Sequence, residues 1–194
     1  MNQKSSSSKE AVLDAAEQLF TARGYTAVTL KHVADKMGIK QASLYYHFPL
    51  GKEELYVSVM LRHLESRRIA LEHLIAQSVP TLQDALQAIG VWLIQRSPLN
   101  AGRIIMSDLP ELSPENAAQL ENAMYRSVFA LIESLFIQYR HCIKEQFQSD
   151  LGFIGGIFIA SIESLHSFRQ YSLKRDEELV KDLIELLLGG ALLD

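Results

Sequence analysis

The stretch from Thr29 to Lys52, TLKHVADKMGIKQASLYYHFPLGK, constrains the fold more than any other. Thr29 is a good helix N-cap, and Leu30, Val33, Ala34 and Met37 follow at the three- and four-residue spacing of one helical face. Gly38 stands where that helix must stop, because glycine tolerates the left-handed conformation a helix end needs. A second helix is expected from about Gln41. Leu44 is its one clear inward residue, while Lys40, Gln41, Ser43, Tyr45, Tyr46 and His47 are polar or aromatic. A helix with so little to bury presents donors and rings outward.

Two short helices around a glycine turn form a helix-turn-helix, whose second helix enters a DNA major groove. Gln41 can make two hydrogen bonds to an adenine edge, Ser43 can donate or accept, and Tyr45 can lie on a thymine methyl. Tyr46, His47 and Lys52 carry donors that phosphate oxygens accept. Thr29 sits at a helix N-terminus, where free N–H groups favour a phosphate. A lone helix pair of this kind is more often plain packing, so the inference needs further support.

That support comes from several pieces at once. Arg23-Gly24-Tyr25, the Thr29 cap, Val33-Ala34, Gly38, the run Leu44-Tyr45-Tyr46-His47-Phe48 and Lys52-Glu53-Glu54-Leu55 together resemble the DNA-binding region of the TetR family of bacterial transcriptional regulators. The resemblance covers about the first third of the chain. It departs from the family at one point: Pro49, Leu50 and Gly51 make a three-residue link where two are usual, which bears on the reach of Lys52. The resemblance implies an all-α protein, with an N-terminal three-helix helix-turn-helix DNA-binding domain and a C-terminal helical ligand-binding and dimerisation domain. The expected boundary separates residues 1–51 from 52–194.

Charge agrees once it is divided. The chain carries a net −4, yet its first 62 residues hold eight Lys and Arg against six Asp and Glu. A mildly basic reader on an acidic body suits a DNA binder whose affinity rests on placed contacts and dimerisation. At 194 residues and 48% hydrophobic composition, the chain is long and apolar enough for real cores. A single cysteine, Cys142, precludes an internal disulfide and fits a reducing compartment. Met1 to Glu10 is polar and reads as a mobile arm, not a signal peptide. Leu151 to Ile162 reads as a buried helix too short to span a bilayer. A cytoplasmic location with no membrane partner is expected.

Periodicity predicts the remaining helices. The first covers Lys9 to Arg23, with Val12, Ala15, Ala16, Leu19 and Phe20 as its stripe. A long one runs from Lys52 toward Gln77, with Arg67 and Arg68 read as solvated or salt-bridged, and Pro80 ends that segment. Thr81 starts another, to about Ser97, and a short one spans Arg103 to about Asp108. Ser113-Pro114-Glu115 opens a helix expected to reach about Gln146. The last two are expected at Ser149–Tyr171 and Asp176–Leu188. The first of these carries Gly152, Gly155 and Gly156, which implies close helix approach. The second carries Leu179, Leu183, Leu186, Leu187 and, beyond its end, Leu192. The resemblance implies that these two helices pair with their copies in a four-helix bundle, making a homodimer. It also implies a small apolar or amphipathic effector in the body. Trp92, Met106, Tyr125, Phe129 and His166 are the candidates to line its pocket. For such an effector to release DNA it must bind the DNA-competent state less well, by roughly 1–3 kcal/mol.

No enzyme reading gains support. Glu163 and His166 form a Glu-x-x-His pair, but a di-iron bundle needs a second pair and two more carboxylates. His141 and Cys142 are helix neighbours that point apart. No cofactor or metal is expected. A helical metal protein or enzyme, and a DNA-bound regulator whose body docks a protein, stay as alternatives.

Overall fold

A computed structural model describes residues 3–77 and 81–189. Pro80 and Leu192 lie outside the described residues. Every regular element described is helical. The helices are α1 (Gln3–Arg23), α2 (Leu30–Met37), α3 (Lys52–Ala76), α4 (Leu82–Ile94), α5 (Ala101–Arg103), α6 (Pro114–Met124), α7 (Ala130–Gln138), α8 (Leu151–Phe168) and α9 (Asp176–Leu188). A 3-10 helix at Gln41–Tyr46 stands between α2 and α3. Wider π-type turns at Ile104–Asp108 and Tyr125–Phe129 continue α5 and link α6 to α7.

The chain forms two compact units. One contains the chain up to Ser66 together with Asn100–Ala123; the other contains Arg67–Leu99 and the chain from Met124 onward. The expected division at residue 51 separates roles, whereas these units are defined by packing.

The first unit has its core where the apolar stripes of α1, α2 and α3 meet. Ala16, Phe20, Val28, Val33, Leu44, Phe48, Leu55 and Tyr56 are all essentially inaccessible to solvent. Phe20 meets Tyr56 edge-on, with ring centroids 5.0 Å apart. The same helices are tied outside the core by charge. Arg62 of α3 pairs with Glu10, Asp14 and Glu17 of α1, and His63 Nδ1 lies 2.9 Å from Glu17 Oε1. The hydrogen bond from His63 is the largest influence holding the Glu17 carboxyl below its usual range, against the opposing effect of burial. A carboxyl depressed in the folded state stabilises above its unfolded pKa and loses that contribution as pH falls through the folded value. Thermal melts should therefore show Tm dropping between about pH 5 and pH 3, and Glu17→Gln should flatten that slope. An identical acid profile in the variant would remove Glu17 from the account.

The second unit is built around close helix contacts. α4 packs on α8 and α9, and α7 packs on α8. Gly90 is what lets α4 sit so near: a Cβ there would fall 2.6 Å from Val180 Cγ1 and 3.1 Å from Ile162 Cδ1. The glycines of α8 divide. A Cβ on Gly155 would lie 3.3 Å from Ile132 Cγ2, and one on Gly152 would lie 3.2 Å from Glu133 Oε1, so both admit α7. A Cβ on Gly156 would meet nothing within 4 Å. Close approach within one chain thus accounts for two of the three.

Five expectations need correction. α1 starts at Gln3, not Lys9, so the expected arm is helical from there. Ser8 and Lys9 have partners that hold this extension: Ser8 Oγ shares a 3.0 Å hydrogen bond with His47 Nε2, and the Lys9 ammonium lies over the Phe48 ring. The second helix of the helix-turn-helix is a 3-10 helix of six residues. The helix opened by Pro114 ends at Gln138, not Gln146; the chain turns at Tyr139, and Ile143 folds inward to 1% exposure. Arg67, read as solvated or salt-bridged, is buried, so the solvated reading does not hold, and its guanidinium donates to the Ser97 carbonyl. The apolar stretch Leu151–Tyr171 is also longer than expected, and by length and composition it could cross a membrane. Gly155, Phe158, Ile159 and Ile162 on its inner face are used in packing instead.

Candidate nucleic-acid interface

Local chemistry fixes the interface. Thr29 Oγ1 accepts from the His32 N–H at 3.2 Å, and His32 Nδ1 accepts from the Thr29 N–H at 3.3 Å, so α2 begins in a reciprocal cap. At the other end Gly38 has φ +66, and the Ile39 N–H reaches back to the Ala34 carbonyl at 3.0 Å. The turn then delivers Lys40 in an extended conformation, and Gln41–Tyr46 follow. Within that helix only Leu44 is buried, anchoring it in the first unit's core.

Everything else on it faces out. Lys40, Gln41 and Ser43 are exposed. Tyr45 is 47% and Tyr46 78% exposed, and the Tyr46 ring stands edge-on to His47. Thr29 is exposed as well, with its hydroxyl oxygen engaged in the cap. His47 is half-buried and held by Ser8. Seven of the eight expected DNA-contact residues therefore belong to α2's cap and the recognition segment just after it.

Lys52 is placed differently. Pro49-Leu50-Gly51 forms a tight turn closed by the Gly51 N–H on the Phe48 carbonyl at 3.0 Å, and Gly51 takes up the extra residue at φ +87. The Lys52 ammonium then lies over the Tyr25 ring, 4.0 Å from its centroid. Partial burial there lowers its pKa against the pull of Asp108 and Glu111.

The five effector candidates fall in both units. Met106 is 79% exposed and belongs to the first unit, whereas Trp92, Tyr125, Phe129 and His166 belong to the second. Tyr125 is half exposed, and its hydroxyl donates to Glu133 at 2.7 Å. Trp92 carries Arg96 over its ring. None of the five lines the α4–α9 groove at Gln83, Gln87 and Lys181, or the small apolar cavity at Leu86, Phe136 and Phe158. His166 is the informative one. Burial lowers its pKa, it bonds the backbone of Leu93, and among the described residues its buried Nε2 has no hydrogen-bond partner. Glu163, its neighbour on α8, accepts from the Leu99 N–H at 3.0 Å. Among the described residues no three His, Cys, Asp or Glu side chains gather as a metal site.

The dimer candidates fall on both faces of their helices. Gly155 is buried; Leu179 and Leu183 are half-buried and Leu186 is 81% exposed. The outer face of α8 shows Phe153, Ile157 and Phe168, which sequence reasoning did not single out. Phe153 and Ile157 are four residues apart and Phe168 follows eleven later, three turns on along the same face, and that signal was present.

Residues 12–59 match the family model described as bacterial regulatory proteins, tetR family. The chain is 36% identical over 86 residues to the HTH-type transcriptional regulator YxaF of Bacillus subtilis, spanning 44% of this chain and 43% of that protein. It is 42% identical over 53 residues to LmrA of the same organism, spanning 27% and 28%. The chain thus matches less than half the length of these relatives. Solved structures share the fold at low identity. The fatty acid degradation regulator FadR of Bacillus halodurans superposes with a TM-score of 0.69 at 16% identity, covering 94% of this chain and 95% of that one. AibR, solved with isovaleryl coenzyme A and operator DNA, gives 0.68 at 19%, covering 92% and 96%. A capped α2, a left-handed Gly38 and an outward-facing segment at Gln41–Tyr46 thus make the matched residues 12–59 a helix-turn-helix similar to the DNA-binding region of the tetR family.

Proposed function

We propose that this protein is a cytoplasmic repressor that binds a palindromic operator as a homodimer and leaves it when a small effector binds. The observation that carries the reading is the recognition segment, which keeps one residue for the core and turns the rest to solvent. Gln41 and Ser43 read base edges, while Lys40, Tyr46 and the Leu30 and Lys31 N–H groups that follow the Thr29 cap hold phosphates. Lys52, stacked on Tyr25, has a supporting part. The division into residues 1–51 as reader and 52–194 as effector and dimer body belongs to the same reading.

Dimerisation is supported by the apolar outer face of α8 and by Leu186 on α9. Two readers on a two-fold axis meet two half-sites one helical turn apart. The effector is apolar or amphipathic and carries a hydrogen-bond donor for His166 Nε2, whose burial without a partner is the supporting observation. The names of FadR and AibR make acyl compounds the first class to screen.

The test is selection of bound sequences from a random duplex pool at two salt concentrations. A palindrome enriched at low salt and weakened at high salt is the expected result. No enrichment from folded dimer would overturn the reading.

A further inference from the structure

The chain passes between the two units at 66–67, 99–100 and 123–124, so Asn100–Ala123 is an excursion into the reader's unit that starts and ends in the other. Two carboxylates tie this excursion down: Glu53 of α3 accepts from the Ser113 N–H and hydroxyl and from the Asn116 amide near its far end, and Asp108 is the buried one. Asp108 is 1% exposed. Its Oδ1 accepts from the Tyr25 N–H at 2.9 Å, and its Oδ2 accepts from the Tyr56 hydroxyl at 3.0 Å. Arg103, one π-type turn earlier, lies 3.6 Å from Oδ2 through Nε and donates through its other nitrogens to the Phe20 and Thr21 carbonyls at the end of α1.

Each of these partners helps set the angle of α2. Tyr25 begins the turn between α1 and α2, and Tyr56 stands on α3 against Phe20. Gly24 is fitted to the joint: it has φ +78, and a Cβ there would fall 2.9 Å from Asp108 Oδ1 and 3.1 Å from Arg103 Nε. A buried carboxylate is retained only where its charge is met by donors, and here they are the Tyr25 N–H of the α1–α2 turn, the Tyr56 hydroxyl of α3 and the Arg103 guanidinium, which is itself held by carbonyls at the end of α1. The π-type turn at Ile104–Asp108 is what brings Asp108 inward while Ile105 and Met106 stay exposed.

We propose that Asp108 is a positioning residue for DNA reading: through Tyr25 and Tyr56 it makes the set of the recognition segment depend on the Asn100–Ala123 excursion. The proposal rests on the reading of a dimer on a palindrome. In a dimer, the set of each reader fixes the half-site spacing that both can meet at once. Loosening the joint therefore broadens the accepted spacing, an effect distinct from losing a base contact.

Palindromes recovered by selection, rebuilt with half-sites one base pair closer or farther apart, give the measurement. Tyr56→Phe drops only the hydroxyl of a buried ring, and Asp108→Asn leaves the side chain's shape and one acceptor. Each should cut the spacing preference by about tenfold. The double variant should lose no more than either alone, because both break one joint. Val59→Ala, in the same core, supplies a control that lowers Tm without touching the joint. Variants that match the control, with Tm lowered and spacing preference intact, would overturn the proposal while leaving the palindrome reading in place. A wild type that enriches no palindrome would overturn both.

Discussion

Tyr46→Ala should weaken binding to the selected operator by about 10- to 100-fold while leaving the fold and the dimer intact. The ring is 78% exposed and stands edge-on to His47, so its removal takes little from the core. Surface changes of that kind usually shift stability by less than about 0.5 kcal/mol. On the proposed reading, what the alanine loses is a hydroxyl donor to phosphate. Because tyrosine is neutral, the slope of affinity against salt should stay as in the wild type. Lys40→Ala should behave in the opposite way, reducing the slope by about one counterion. Lys52→Ala should resemble neither, since its ammonium is stacked on Tyr25. Titrating labelled duplex with each variant at three salt concentrations separates these outcomes. Unchanged affinity in Tyr46→Ala would remove Tyr46 from the interface.

These expectations could be formed early because the reader's signals are local. Thr29 caps through a residue three positions away, and Gly38 ends α2 through Ala34 and Asp35. A window of a few residues contains both the cause and the effect. The same holds for α9, where Asp176 to Leu188 coincides with the span read from leucine periodicity.

Elsewhere the cause lies far along the chain. Asp108 reads in sequence as an ordinary acid at the end of a short helix, and its partners stand 52 and 83 residues away. Arg67 looks like a surface cation until Ser97, 30 residues on, supplies a buried carbonyl. The N-terminal serines contain no strong helix signal; α1 extends through them, and Ser8 and Lys9 find His47 and Phe48. The end of α7 is similar: helical periodicity continues past Gln138, and the inward fold of Ile143 ends it. Apolar residues at helical spacing mark a helix face but not the unit that the helix joins, and of the effector candidates Met106 belongs to the first unit and the other four to the second.

Ile157→Asp should convert the protein to monomers and cost more than about 100-fold in operator affinity. Ile157 is 39% exposed in the single chain, between Phe153 at 63% and Phe168 at 62% on the outer face of α8. A carboxylate there stays hydrated in an isolated chain, so monomer stability should change little. In a two-fold interface the substitution appears twice and must be buried against apolar side chains with no cation to meet it. An unpaired buried charge costs about 3–5 kcal/mol, enough to undo association at micromolar protein. DNA affinity then falls for a different reason than in Tyr46→Ala. Each reader is intact, but the second half-site is no longer held at the high effective concentration that linkage supplies. Light scattering should report half the mass, and a duplex carrying a single half-site should bind as weakly to the wild type's reader as to the variant's. A variant that stays dimeric and binds the full palindrome as before would show that α8's outer face serves another partner, and the two-fold axis would have to be sought elsewhere on the chain.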